Sequence, residues 1–116
     1  MKIAISAQGQ DMNSELDPRF GRTSGFIIYD TQTRESSFLA NTQNMQAMQG
    51  AGIQTAQNVA QAGAEAVITG HVGPKAFAAL QSGGIAIYLC QEPTVQDALK
   101  AFVDNRLSPT DSADKP

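Results

Sequence analysis

Between Ala64 and Phe77 the chain reads AEAVITGHVGPKAF, and this stretch constrains the fold more than any other. Ala66, Val67 and Ile68 form a short apolar, β-branched run without polar alternation, the pattern of a strand buried on both faces. Thr69 and Gly70 end it. Gly73-Pro74 then opens a helical pattern in which Pro74 takes the first turn, where a missing N–H costs nothing, and Ala76, Phe77 and Leu80 follow as apolar positions. The expected unit is a strand, a glycine-flanked turn and a helix whose N-terminus faces whatever lies beyond the strand. His71, the chain's one histidine, sits in that turn.

Around this unit the rest of the chain falls into order. Lys2 to Ala7 reads as a first strand with Ile3 and Ile5 on one face and the small Ala4 and Ser6 on the other. Gln8 to Ser24 contains Gly9, Pro18 and Gly21 with no sustained period, which predicts a long ordered or semi-ordered loop. A loop longer than about 12 to 15 residues in a compact domain is usually functional or disordered. Gly25–Asp30 and Glu35–Ala40 read as a hairpin of two further strands. Asn41 to Gly52 carries no charge and ends in Gly-Ala-Gly. From Ile53 the period becomes helical, with Ile53, Ala56, Val59 and Ala60 as the inner face and Gly63 as the stop. After the helix from Pro74, halted by Gly83-Gly84, Ile85–Leu89 is a fifth strand. Thr94 is the expected N-cap of a last helix with Val95, Leu99, Phe102 and Val103 inward. From Asn105 the chain turns polar, with two prolines, and is expected to fray.

Strand-helix alternation in the second half calls for parallel strands with right-handed crossovers, whereas the first half is an antiparallel meander. Placing the first strand beside the fourth yields an α/β sheet of order 3-2-1-4-5, with strand two antiparallel to the rest and three flanking helices. This is a ribonuclease H-like arrangement. Its loops 8–24, 41–52, 70–75 and 90–94 would meet at one sheet edge, where the winding direction reverses and open α/β sheets place ligands.

A chain of 116 residues is expected to form one domain over residues 1–106, burying roughly 65% of its unfolded surface, with a flexible tail at 107–116. The net charge of −3 and the lack of a basic run argue against nucleic acid or anionic lipid as partner. A single cysteine, Cys90, excludes an internal disulfide and fits a reducing compartment. The first apolar stretch ends at Gln8, too short for a signal-peptide core, and no segment approaches a membrane span, so a cytoplasmic monomer is expected.

Several motifs, taken in order, carry a family resemblance: the KIAI strand, the loop ending in DPRFGR, GAGI at Gly50 to Ile53, and VITGHVGPKAF followed by GIAIYL. Over roughly residues 1–106 the chain resembles the nitrogenase iron-molybdenum cofactor biosynthesis family. The resemblance implies a ribonuclease H-like fold and the binding, not the turnover, of a metal-sulfur cluster. The stand-alone subgroup of this length includes a member that holds a molybdenum-copper sulfide cluster without covalent attachment, and other family members are similar in carrying or scaffolding nitrogenase cofactor precursors. A protein partner for cluster transfer is implied as well.

Such clusters are anionic and rich in sulfide, so a site should offer N–H donors, cations and polarizable or apolar contacts. The turns Gly50-Ala51-Gly52 and Gly70-His71-Val72-Gly73, with Lys75, present helix N-termini whose glycines let backbone approach an anion. Each helix end contributes only about 0.3 to 1 kcal/mol, whereas micromolar binding requires about 8 kcal/mol. Dipoles alone are insufficient. Arg19, Arg22 and Lys75 would add charge-assisted contacts, and Phe20, Met45, Met48 and Val72 a water-excluding wall. Each has a plainer reading. Arg19 and Arg22 can pair with Asp11, Glu15 or Asp17 in their own loop, and Met45 and Met48 can be core. Cys90, directly after a buried strand, reads as a structural thiol first and a metal ligand second; His71 is the stronger ligand candidate.

Two other classes remain open. A regulatory or interaction domain binding an anionic metabolite would use the same turns. A phosphoryl-transfer enzyme would need carboxylates at the sheet holding ions about 4 Å apart. The strands KIAISA, AVITG and IAIYL supply none, and Asp11, Glu15 and Asp17 lie in a loop expected to be poorly organised.

Overall fold

The computed structural model describes residues 1–41 and 50–113. Along the chain run β1 (Lys2–Ala7), β2 (Gly25–Asp30), β3 (Ser36–Ala40), α1 (Ala51–Gln61), β4 (Ala66–Thr69), α2 (Pro74–Ser82), β5 (Ala86–Leu89) and α3 (Val95–Val103). The strands form one sheet in the order β3-β2-β1-β4-β5, with β2 antiparallel to both neighbours and β1, β4 and β5 parallel. Order and directions are those expected from the pattern.

The period-2 alternation of the strands divides the core in two. Ile3, Ile5 and Ala7 of β1, with Ala66 and Ile68 of β4, face Val95, Ala98 and Leu99 of α3. Ala4, Phe26, Ile28, Val67 and Ile87 point the other way, against Ala56 and Val59 of α1 and Ala76 and Leu80 of α2. β1 and β4 therefore lie in the middle of a three-layer sandwich, and all four residues of β4 are buried.

Three expectations are corrected. First, α1 begins at Ala51 rather than Ile53 and buries Ala51, Thr55, Ala56 and Val59, leaving Ile53 39% exposed and Ala60 on the surface. The face is chosen by size: a Cβ on Gly52 would meet that of Ala76 at 2.9 Å, so α1 turns its small residues toward α2. Second, Val103 is 61% exposed, because it is the last helical residue and lies off the stripe formed by Val95, Ala98 and Leu99. Thr94 does cap α3, accepting from the Asp97 N–H at 3.1 Å. Third, the segment expected to fray is docked where described: Leu107 packs on the α3-side core, Pro109 bridges Tyr88, and the Thr110 N–H donates to the Ile87 carbonyl at 2.8 Å. This covers the outer edge of β5, whose backbone groups otherwise lack partners on that side.

Candidate functional site

At the carboxyl ends of β1 and β4 the loops converge as the topology requires, and backbone hydrogen bonds hold them. The long loop after β1 folds back at once: the Gln8 N–H donates to Glu15 O at 3.0 Å, Leu16 N–H to Pro93 O at 3.0 Å, and Asp17 N–H to Ser6 O at 2.9 Å. The Ser6 hydroxyl lies 2.6 Å from the Asp17 carbonyl and 2.9 Å from the Thr69 hydroxyl, tying the loop to both central strands. Beyond this point Arg19 forms a parallel backbone bridge with His71. Gly70 makes the pairing possible, since a Cβ there would stand 2.6 Å from Pro18 Cα.

The next three residues are fixed from behind. Phe20 is 2% exposed, with its ring centroid 5.5 Å from that of Phe26, so it roots the loop in the α1/α2-side core. Gly21 meets α1, where a Cβ would lie 3.0 Å from both Cα and N of Gly52. Its carbonyl accepts from Thr55 Oγ1 at 3.0 Å and Asn41 Nδ2 at 3.2 Å, and Asn41 Nδ2 also reaches Thr23 O at 3.0 Å.

The surface so assembled is a cleft of ≈ 890 Å³ between the segments 18–22, 50–52 and 71–76. Pro18 and Pro74 supply exposed apolar surface, with Gly21 and Gly52 between them. Phe20, Ala51 and Ala76 are buried beneath, so Phe20 supports the wall from the core rather than forming it. Arg19, Arg22, His71 and Lys75 supply the polar and cationic groups. The N-termini of α1 and α2 open onto it, with Gly50 in the left-handed conformation (φ 79°) and Gly73 extended. Neither helix has a side-chain cap or an acidic residue in its first turn, whereas α3 has both, in Thr94 and Asp97. A helix without an internal cap leaves its first N–H groups and positive dipole end to an external acceptor.

The pairing of Arg19 with a carboxylate of its own loop, open from the sequence, is present, and its partner is Asp17. Instead of being poorly organised its side chain is 1% exposed, and its carboxylate accepts from the Arg19 backbone N–H at 2.9 Å, from Nε at 3.2 Å and from Nη2 at 3.2 Å. The pair holds the Arg19 guanidinium above its ordinary pKa, through the hydrogen bond to Asp17 first and its charge second. The D-x-R spacing was the available signal, because a carboxylate two residues ahead of an arginine can receive both its backbone N–H and its side chain. Gly21 also lines the cleft, although only its neighbours Phe20 and Arg22 were singled out from the sequence.

Of the other expected site residues, Gly50, Ala51, Gly52, His71, Gly73 and Lys75 line the cleft with Arg19, Phe20 and Arg22. Ala51 and Gly52 do so from the first turn of α1 rather than from a turn ahead of it. Gly70 and Val72 lie beneath it: Gly70 is buried under Pro18, and Val72, 1% exposed, is part of the core rather than of the wall. Cys90 is 3% exposed in the α3-side core, on the other face of the sheet, and is not among the lining residues. Burial pushes its thiol pKa up, partly offset by the Glu92 N–H that reaches Sγ at 3.5 Å. Met45 and Met48 lie outside the described residues. Among those described, no three His, Cys, Asp or Glu side chains gather as they would around a bare metal ion, and no helix is long and apolar enough to cross a membrane.

Residues 1–105 match the family described as dinitrogenase iron-molybdenum cofactor. A protein of Methanocaldococcus jannaschii is 30% identical over 110 residues, covering 92% of this chain and 89% of its own. Among solved structures, the apo form of the orange protein from Desulfovibrio gigas superposes with a TM-score of 0.96 at 37% identity, over 98% of this chain and 96% of that one. A Thermotoga protein solved by NMR reaches 0.83 at 34% identity, over 93% and 91% of the two chains.

Proposed function

The chain belongs to the dinitrogenase iron-molybdenum cofactor family, and from that membership and the chemistry of its cleft we propose that it binds an anionic metal-sulfur cluster, of molybdenum-copper sulfide or iron-molybdenum cofactor type, as non-covalent cargo. One observation carries the reading: α1 and α2 both leave their N-termini without an internal cap at the same apolar, cation-rimmed cleft, while α3, elsewhere, caps itself.

The donor set suits such cargo. Backbone N–H groups at Gly52, Lys75 and Ala76 and the cations of Arg22 and Lys75 meet negative charge, and the surface of Pro18 and Pro74 excludes water without demanding hydrogen bonds. Among the described residues that line the cleft, His71 offers an imidazole. No covalent attachment is needed, because several weak terms converge in a cleft large enough for a cluster, where one helix end alone would fall far short of micromolar affinity. The role is binding rather than turnover, as cluster carrier or scaffold. A phosphoryl-transfer reading would call on Asp17, and its carboxylate is already committed to Arg19.

Apo-protein offered tetrathiomolybdate with Cu(I) should assemble a coloured species, and amide shifts should concentrate at Gly50 to Gly52 and His71 to Ala76. His71→Ala should lower uptake or cluster lifetime, and Cys90→Ser should matter less. Shifts centred on Gly63 and Gly83-Gly84, at the opposite sheet edge, would sink the site. Loss of binding in Cys90→Ser with none in His71→Ala would move the cargo to the thiol.

A further inference from the structure

Arg19 stands on the cleft wall with its charge already answered. Its side chain is 58% exposed, yet two of its N–H groups, on Nε and Nη2, are spent on a carboxylate that is 1% exposed. Asp17 cannot follow its partner outward: its own N–H and carbonyl are bonded to Ser6, at 2.9 and 2.6 Å. The Arg19 backbone is held as well, by its N–H to Asp17 Oδ1 at 2.9 Å and by the bridge to His71. The guanidinium is therefore clamped at both ends, and of the five N–H donors such a group carries, three remain.

We propose that Asp17 is a positioning residue that sets the cleft's preference for sulfide-rich over oxygen-rich anions, by clamping Arg19 as a flat, charge-compensated surface. The proposal rests on the reading of the cleft as a cluster site. A small oxyanion holds its hydration tightly and gives it up only for direct, charge-assisted hydrogen bonds, which an arginine supplies best with its bidentate fork. Here Asp17 occupies the side-on Nε–Nη2 fork and answers the charge, leaving an oxyanion the end-on edge of a guanidinium that is already compensated. An anion whose charge is spread over sulfur is weakly hydrated, accepts hydrogen bonds weakly, and loses little by meeting a neutral ion pair. It still gains the contact with a planar, polarizable group on the cleft wall. The same clamp disfavours Arg19 swinging out to wrap phosphate, sulfate or molybdate.

Molybdate and tetrathiomolybdate provide the test, being tetrahedral dianions of one metal that differ in oxygen against sulfur. Both are titrated into wild type and Asp17→Asn, an isosteric change that removes the compensating charge and one of the two oxygens that hold the Arg19 fork. Wild type should prefer tetrathiomolybdate. In Asp17→Asn molybdate should gain about tenfold in affinity, and tetrathiomolybdate distinctly less, so the preference narrows. Equal gains for both anions would make Asp17 a bulk charge and overturn the proposal, as would an unchanged ratio. Should Asp17→Asn not fold, the Arg19 Nε–H resonance of ¹⁵N-labelled wild type decides the matter. It should stay protected from exchange before and after tetrathiomolybdate is added, and loss of protection on loading would mean that Arg19 leaves Asp17 for the ligand and the clamp is wrong. A wild type that binds neither anion fails the cluster reading itself, and this proposal with it. One that binds tetrathiomolybdate while Asp17→Asn keeps its preference fails the proposal alone.

Discussion

Gly52 in α1 and Ala76 in α2 pack so closely that a Cβ on the glycine would stand 2.9 Å from that of the alanine. Two helices that each open onto the cleft are thereby brought together at their first turns, and the loop residue Gly21 closes the third side against Gly52. Gly52→Ala should gain up to about 1 kcal/mol in helix propensity and lose about 1 to 3 kcal/mol to overpacking between backbones that cannot move apart cheaply. A net fall in stability, read from urea denaturation, is expected, together with weaker cluster retention. A raised midpoint would show that α1 slides away at little cost.

Gly73 is the contrasting case. It is the N-cap of α2, in an extended conformation open to any residue, and a Cβ there meets nothing within 4 Å. Gly73→Ser should supply the cap that α2 lacks and stabilise the fold by a few tenths of a kcal/mol. The hydroxyl then satisfies an N–H that the proposed cargo would otherwise meet. Cluster release on dilution should be faster in Gly73→Ser even though its thermal midpoint is equal or higher; slower release would show that the α2 N-terminus does not face the cargo.

Burial raises the Cys90 thiol pKa above its ordinary value of 9.0. The sign follows from proton linkage: in the alkaline range the unfolded chain loses the thiol proton first, so the stability this group contributes is complete below the ordinary value and is lost as pH rises through the raised folded one. Wild type should therefore lose more stability than Cys90→Ala between about pH 8 and about pH 10, measured by paired urea titrations that cancel the lysines and tyrosines. The native thiol should also react slowly with a thiol reagent at neutral pH. Parallel pH profiles for the two proteins would contradict the assignment.

The cover on β5 joins the packing of Leu107 and the Pro109–Tyr88 bridge to a ladder bond from the Thr110 N–H to Ile87 O. Thr110→Pro removes the donor and should cost about 1 kcal/mol, with faster amide exchange at the β5 edge. An unchanged midpoint and unchanged exchange would mean that the segment rests on the edge without stabilising it.

Local pattern by itself determined the frame of this protein. The unbroken apolar runs of β4 and β5, the alternation of β1, Pro74 in the first turn of α2 and Thr94 at the cap of α3 are effects of residues on their own neighbours, so order, direction and the convergence of loops at one edge were legible. Contacts between segments distant in the chain were not. Ile53 reads as core by hydropathy, yet α1 buries Thr55 instead, because the helix approaches α2 and Gly21 through its smallest residues. Asp17 reads as a loop carboxylate, yet it is buried because Ser6 fixes its backbone and Arg19 returns its charge. Gly70 reads as an anion-binding glycine, yet what it admits is Pro18. In each case the deciding quantity is the space or charge left by a partner far away in sequence, and close packing of the folded chain is what sets it.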